Sequence, residues 1–284
     1  MKTIAVATDL SMRSDRAVAR AWRLADEHNA TLYVFSVVDD TLPEALGETV
    51  AAETQARLVQ FCEAQTGADK VTWHAQILRG APDEALATAA KSYGADLMVL
   101  GLHRRRPFMD LIFETTMERL TRSLGCPVLI VRDPADHAYT CVLGALDFAP
   151  ASADALRIAR RLAPTAGLHA AHAVPVPYVG MATAPGLTGE LPPMIDPAPF
   201  MEAAVQQKYA WLDANPDLAD LADISVEEGS VQAVIGHKRA ALRPDLISMG
   251  AHGRALPVPW LMGSFATDMM RDPPCDLLIV PPKG

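Results

Sequence analysis

The sequence has no pair of cysteines at C-x-x-C spacing; its four, Cys62, Cys126, Cys141 and Cys275, are scattered. That argues against a zinc site or a disulfide framework and leaves apolar buried thiols in a reducing compartment. No apolar run approaches the ~18 residues that a membrane helix requires. The amino terminus, residues 1–9, is too short in its apolar part for a signal peptide, so a cytoplasmic chain with no membrane partner is expected. A basic surplus is missing as well. The net charge of −9 and isoelectric point of about 5.3 argue against nucleic acid as a partner, because neutralising phosphates takes a basic surface. Arg104, Arg105 and Arg106 are a local exception, most simply a solvated charge run. Absent too are the G-x-x-x-x-G-K-[ST] of a P-loop, a G-x-G-x-x-G after the first strand and the G-x-S-x-G elbow of a hydrolase. What is present is ordinary globular composition, 50% hydrophobic and 21% charged over 284 residues, material for two domains.

A repeat organises the chain. Ala95-Asp96-Leu97-Met98-Val99-Leu100-Gly101 matches Pro244-Asp245-Leu246-Ile247-Ser248-Met249-Gly250, and Cys126-Pro127-Val128-Leu129-Ile130-Val131 matches Cys275-Asp276-Leu277-Leu278-Ile279-Val280, both at an offset of 149. Gly80 and Gly229 share that offset, whereas Asp9 and Asp147, Ser14 and Ser152, Ala21 and Ala159, and Leu24 and Leu162 are 138 apart. An insertion in the second half explains the difference, and the proline- and glycine-rich residues 175–199 are its site, a long loop. Within each half, short apolar runs alternate with helical periodicity. The predicted strands are 4–8, 32–38, 71–78, 97–100 and 128–131, then 142–146, 168–174, 224–228, 246–249 and 277–280. The predicted fold class is therefore α/β: two tandem repeats of an open, mostly parallel five-stranded sheet with helices on both faces. The expected domains are residues 1–133 and 140–284, parted where Asp133-Pro134 breaks a strand.

In such a sheet, ligands bind beyond the carboxyl ends of the strands, where the strand order switches. In the second half, strand 246–249 runs into Gly250-Ala251-His252-Gly253-Arg254, and Gly263-Ser264 then opens a helix, giving G-x2-G-x9-G-[ST]. Gly250 and Gly253 let the backbone turn and approach a ligand without a Cβ in the way. Gly263 and Ser264 offer amides at a helix amino terminus, which favours an anion, and Ser264 adds a hydroxyl. Three or four such donors around Gly253, Gly263, Ser264 and Phe265 suit micromolar affinity, about −8 kcal/mol. A turn of purely structural purpose would need Gly250 and Gly253 but not Gly263-Ser264. His103 and His252 occupy equivalent positions, yet neither has a second histidine or a cysteine at ligand spacing, so no protein-held metal is expected. Asp9 and Asp147 end equivalent strands, as ligand-site carboxylates or as helix caps. Trp211, Met201 and Tyr209 suit a helix core or interface.

These residues resemble a known family. The glycine motif, Asp147 and the closing strand from Cys275 look like a universal stress protein domain, and the resemblance extends once over each half. It implies that ATP (or AMP or ADP), with magnesium as a companion, lies along Gly250, His252, Gly253, Arg254, Gly263, Ser264 and Phe265. It implies further that Ala145 and Asp147 line the adenosine site, that Ala173 meets the adenine through its backbone, and that Met249 packs nearby. The first half departs from the pattern. Arg104 replaces the second glycine and Glu114-Thr115 replaces Gly263-Ser264, so Asp9, Gly101, Arg104 and Thr115 are weaker candidates, and a scaffold role is expected there. The resemblance implies a regulatory role in the stress response, without a catalytic residue and not as an enzyme. The alternatives are a nucleotide-free scaffold whose 175–199 loop meets a partner protein, and a slow ATPase using Asp147. Strands 128–131 and 277–280 could meet within the chain as a pseudo-dimer, with a homodimer as a further option.

Overall fold

Strand β1 (Thr3–Ala7) lies between β2 (Thr31–Val38) and β4 (Leu97–Gly101), all parallel, with β3 (Trp73–Arg79) outside β2 and β5 (Val128–Val131) outside β4. The second half repeats the order with β6 (Cys141–Ala145), β7 (Gly167–Val174), β8 (Asp223–Glu228), β9 (Leu246–Gly250) and β10 (Asp276–Val280). This computed structural model describes residues 1–12, 14–38, 43–102, 116–176, 196–220, 223–251 and 264–282. The α/β class and the parallel order within each half agree with the sequence. The count of sheets does not. β5 and β10 pair antiparallel, Leu129 opposite Leu278, and fuse the halves into one ten-stranded sheet ordered β3-β2-β1-β4-β5-β10-β9-β6-β7-β8. Open-ended apolar strands such as Val-Leu-Ile-Val carry unpaired amides and carbonyls at an edge, and pairing them with each other removes both edges at once.

Alternation along each strand divides the interior into two layers. On one face, Ile4, Val6, Leu97, Val99, Leu129, Val142, Leu246 and Leu278 pack under α1 (Asp15–His28), α2 (Glu44–Glu63) and α5 (Pro150–Leu162). On the other, Ala5, Met98, Ile130, Leu143, Ile247 and Leu277 pack under α3 (Pro82–Ser92), α4 (Thr116–Ser123), α7 (Val231–Leu242) and α8 (Ser264–Arg271). Each layer runs through both halves, so the repeats share their cores. Helix α6 (Ala198–Ala214) closes a smaller cluster with Phe148, Trp211, Leu218 and Ile224. Trp211 is core, as its spacing suggests; Tyr209, expected in a core or interface, is 56% exposed. All four cysteines are free thiols; burial pushes Cys62 and Cys275 up to about 12 and Cys126 to about 11. Among the described residues no helix is long and apolar enough to cross a membrane.

The duplication is also written in the backbone. Positive φ occurs at Leu10 (57°) and Phe148 (62°), at Gly80 (120°) and Gly229 (137°), and at Gly94 (61°) and Arg243 (52°), the same offsets of 138 and 149. The left-handed conformation ends α7 at Arg243 as it follows α3 at Gly94, although only the glycine avoids the Cβ penalty.

A buried ionic cluster joins the halves where the sequence suggested a simple break. Arg20 of α1 is 1% exposed and Asp276 of β10 fully buried. The Arg20 Nε lies 3.3 Å from Asp276 Oδ2, out of line for a hydrogen bond, while its Nη atoms donate to the carbonyls of His137 (2.8 Å) and Pro134 (3.1 Å). Asp276 accepts from the Tyr139 hydroxyl (2.6 Å) and from the amides of Arg132 (2.8 Å) and Asp133 (2.9 Å). The guanidinium sits 4.2 Å over the Tyr139 ring. Burial pushes the Asp276 carboxyl above the usual carboxylate range, against the pull of Tyr139, the two amides and Arg20.

Candidate functional site

In the second half the strand order switches between β6, which continues to β7 on one side, and β9 on the other. At their carboxyl ends the structure brings together Ala145, Asp147, Ala173, Met249 and Gly250. Ala145 sits opposite Met249 and Ala171 in register. Ala145, Ala173, Met249 and Phe265 all belong to the α7 and α8 layer. Met249 is buried, the two alanines and Phe265 half-buried, and Ser264 is exposed at the first residue of α8. His252, Gly253, Arg254 and Gly263 lie outside the described residues, as do Arg104 and Thr115 of the first half.

The turn after β6 is built from within. Asp147 Oδ1 accepts from the Ala149 amide (3.0 Å), an Asx-type turn that leads into α5, where Pro150 takes the first helical position, its missing amide no loss there. Phe148, at positive φ, lays its ring 4.3 Å from that of His172 and 5.9 Å from Trp211. The His172 Nδ1 is 2.8 Å from the Leu146 carbonyl; a carbonyl only accepts, so the proton is on Nδ1. His172 therefore clamps the turn from β7, one residue before Ala173. Sequence reasoning passed over His172 and Phe148. A signal existed: the first half carries Ser36 and Leu10 at those positions, so both rings are particular to the second half.

Gly250 has a packing role beside the one its motif suggests. A Cβ there would lie 3.0 Å from the Ala151 Cβ, 3.1 Å from the Ser152 amide nitrogen and 3.2 Å from the Ala151 carbonyl carbon. Strand parity sends Gly250 to the α5 face and Met249 to the opposite one. The missing side chain makes room for the first turn of α5. Valine at 250 is expected to lower unliganded stability by about 1–3 kcal/mol, measured by urea unfolding, because helix backbone must move.

A model of the universal stress protein family matches residues 1–132 and again 138–281. The chain belongs to the universal stress protein family. Among its relatives, a universal stress protein of Thermus aquaticus is 33% identical over 138 residues, 46% of this chain and 98% of that one. Another from Methanocaldococcus jannaschii is 29% identical over 143 residues, 47% of this chain and 83% of its own. The crystal structure of a universal stress protein from Archaeoglobus fulgidus covers 99% of this chain and 98% of its own, at a TM-score of 0.66 and 18% identity. A putative universal stress protein structure from Pseudomonas aeruginosa covers 100% and 94%, at 0.63 and 16%. Both share the fold over the whole length.

The first universal stress protein half has the same scaffold with a different interior. Asp9 Oδ1 accepts from the Ser11 amide (3.1 Å), Ser11 Oγ (2.6 Å) and Ser14 Oγ (2.8 Å), and Ser14 also bonds Thr8 Oγ1 (2.8 Å). Burial raises the Asp9 carboxyl, and the Ser11 and Ser14 hydrogen bonds outweigh it, so the net shift is downward. In the second half Ala149 and Leu146 stand where Ser11 and Thr8 are, and the Ser152 hydroxyl donates to the Ala149 carbonyl (2.9 Å) as Ser14 does to that of Ser11 (2.9 Å). Val37 replaces Ala173 by strand register, and Leu102 replaces Ala251, each partly buried in the same layer. Gly101 ends β4 as Gly250 ends β9. Because β5 and β10 are antiparallel, the two switch points open on opposite edges of the sheet.

Proposed function

We propose that the second half binds an adenine nucleotide, ATP or its ADP or AMP form, and that occupancy regulates a cytoplasmic stress response without dedicated turnover. The observation that carries this reading is the convergence, at one switch point, of a carboxylate oriented by its turn with alanine-sized walls. Ala173 leaves the volume that Val37 fills in the first half, beside Ala145, whose counterpart is Ala7, and Asp147 suits a ribose hydroxyl. Ser264 begins a helix whose amides favour phosphate. Among the described residues no three His, Cys, Asp or Glu side chains gather to hold a metal, so magnesium would arrive with phosphate oxygens supplying most of its ligands. The first half, with Asp9 tied to two serines and bulkier walls, serves as scaffold.

The test is to denature purified protein, look for released adenine nucleotide, and titrate ATP into the emptied protein. Asp147→Ala should weaken binding about ten- to hundredfold, the loss of one charged hydrogen bond, whereas Asp9→Ala should leave it unchanged. Asp9→Ala should act on stability instead. A carboxyl held low in the fold contributes stability above its ordinary value of 3.8 that is lost as pH falls through the folded value, so the variant's acid unfolding limb should flatten below that pH. Equal weakening by both substitutions, or no binding to either protein, overturns the assignment. Phosphate release that falls in Asp147→Ala would instead argue for hydrolysis.

A further inference from the structure

The ten-stranded sheet poses a question of partner choice. β5 and β10 are nearly the same strand, and their register is pseudo-symmetric, since the central pair Leu129 and Leu278 are themselves repeat equivalents. By strand composition alone, β5 of one chain could pair equally well with β5 of another, or β10 with β10. What flanks the strands is not alike. On one side of the pseudo-axis stands the buried seat in which Arg20 meets Asp276 and Tyr139. The repeat equivalents of Arg20 and Asp276 are Ile158 and Pro127, and these two meet on the other side, together lining a shallow groove of about 460 Å³. One seat is a buried ion pair; the other has no charge at the two equivalent positions, and the charges around its groove, Lys2, Asp96 and Arg161, are exposed.

We propose that Arg20, Tyr139 and Asp276 form a pairing selector that lets the closing strand of one half accept the other half of the fold and rejects its own kind. A β5–β5 pair would place each Arg20 against Pro127, leaving two buried guanidiniums without the Asp276 carboxylate, since Asp96 in that seat is exposed and taken up by the Lys2 and Thr3 amides (2.6 and 3.1 Å). A β10–β10 pair would set each Asp276 against Ile158, leaving two buried carboxylates without Arg20, since Arg161 in that seat is exposed at the surface. A charge stripped of both water and partner is strongly unfavourable, so each homotypic pairing is penalised twice and the heterotypic one not at all. Specificity here comes from what the wrong pair would bury, more than from what the right pair gains. The linker strengthens the choice: besides the Arg20 bonds, Arg23 donates to the carbonyls of Ala135 (3.1 Å) and Asp136 (2.9 Å), and Arg16 to that of Arg132 (2.7 Å).

The experiment uses the full chain with a Leu129→Cys reporter, which faces another copy of itself only across a homotypic β5 pair. The protein is refolded from denaturant at its highest soluble concentration, because a short linker gives the intramolecular pair a high effective concentration. It is then oxidised and scored for covalent dimer against the same background without the reporter. Arg20→Met, Tyr139→Phe and Asp276→Leu together remove the charges and keep the volume, a change that buried ion pairs tolerate. That triple variant should raise the reporter dimer at least about tenfold over the wild-type background. Pro127→Asp, in an otherwise unchanged chain, gives Arg20 an acid across the homotypic pair and should raise it as well. If neither variant exceeds the wild-type background, or if that background already dimerises through the reporter thiol to the same extent, the selector is wrong. Should the triple variant not refold, the Pro127→Asp result alone decides.

Discussion

Alanine in place of Asp276 is expected to lower the unfolding free energy by about 3–5 kcal/mol, the cost typical of removing one member of a buried ion pair. The reason is what remains. Arg20, 1% exposed, keeps its bonds to the His137 and Pro134 carbonyls but loses its only described carboxylate, while the Tyr139 hydroxyl and the Arg132 and Asp133 amides lose their acceptor. Conservative asparagine should recover part of the loss by accepting from Tyr139 and an amide. Urea unfolding followed at equilibrium measures both. Because the two core layers run through both halves, the transition should stay single and move as a whole. A two-step curve, in which one half melts at its wild-type midpoint, would show that the halves are energetically separate and that the cluster is peripheral. A shift below about 1 kcal/mol, the ordinary range for surface pairs, would mean that water reaches the site.

The same cluster marks the limit of what could be read from sequence. The alternation of strands and helices is local: each apolar run announces its own layer, and the two offsets tie one half to the other. Strand ends therefore fall within a residue or two, the largest difference being at Val71, which is buried just ahead of β3. Arg20 announces nothing locally. On α1 it is one of three arginines, Arg16, Arg20 and Arg23, in a helix that must also face water, and its partner is 256 positions away. The available signal was comparison across the repeat, where an arginine stands at the place of Ile158 and an aspartate at that of Pro127. The site divides in the same manner. The switch point, Asp147 and the small walls follow from topology and register. The packing demand on Gly250 does not, since glycine is demanded equally by a ligand and by a neighbouring helix, and only the distances to Ala151 and Ser152 reveal the helix.

The first half already carries the substitution that should abolish nucleotide binding in the second, and Gly263→Glu transfers it. Glu114 occupies the position equivalent to Gly263, which directly precedes Ser264, exposed at the start of α8. A helix amino terminus presents unbonded amides and a partial positive charge, and a carboxylate placed one residue ahead satisfies both. A phosphate would then have to displace a tethered anion and tolerate its charge. Losing two hydrogen bonds to a charged group, at about 1.5–3 kcal/mol each, already exceeds a hundredfold change in affinity, and repulsion adds to it, so ATP should cease to bind measurably. Stability should hold or rise slightly, because an acid at that position favours the helix. That pairing of outcomes separates the site from the fold: binding lost together with a lowered unfolding midpoint would indicate a damaged helix, and binding retained would remove the phosphates from this end of α8. Glu114→Gly should not confer binding on the first half, where Asp9 remains tied to Ser11 and Ser14 and Val37 still fills the wall that Ala173 leaves open.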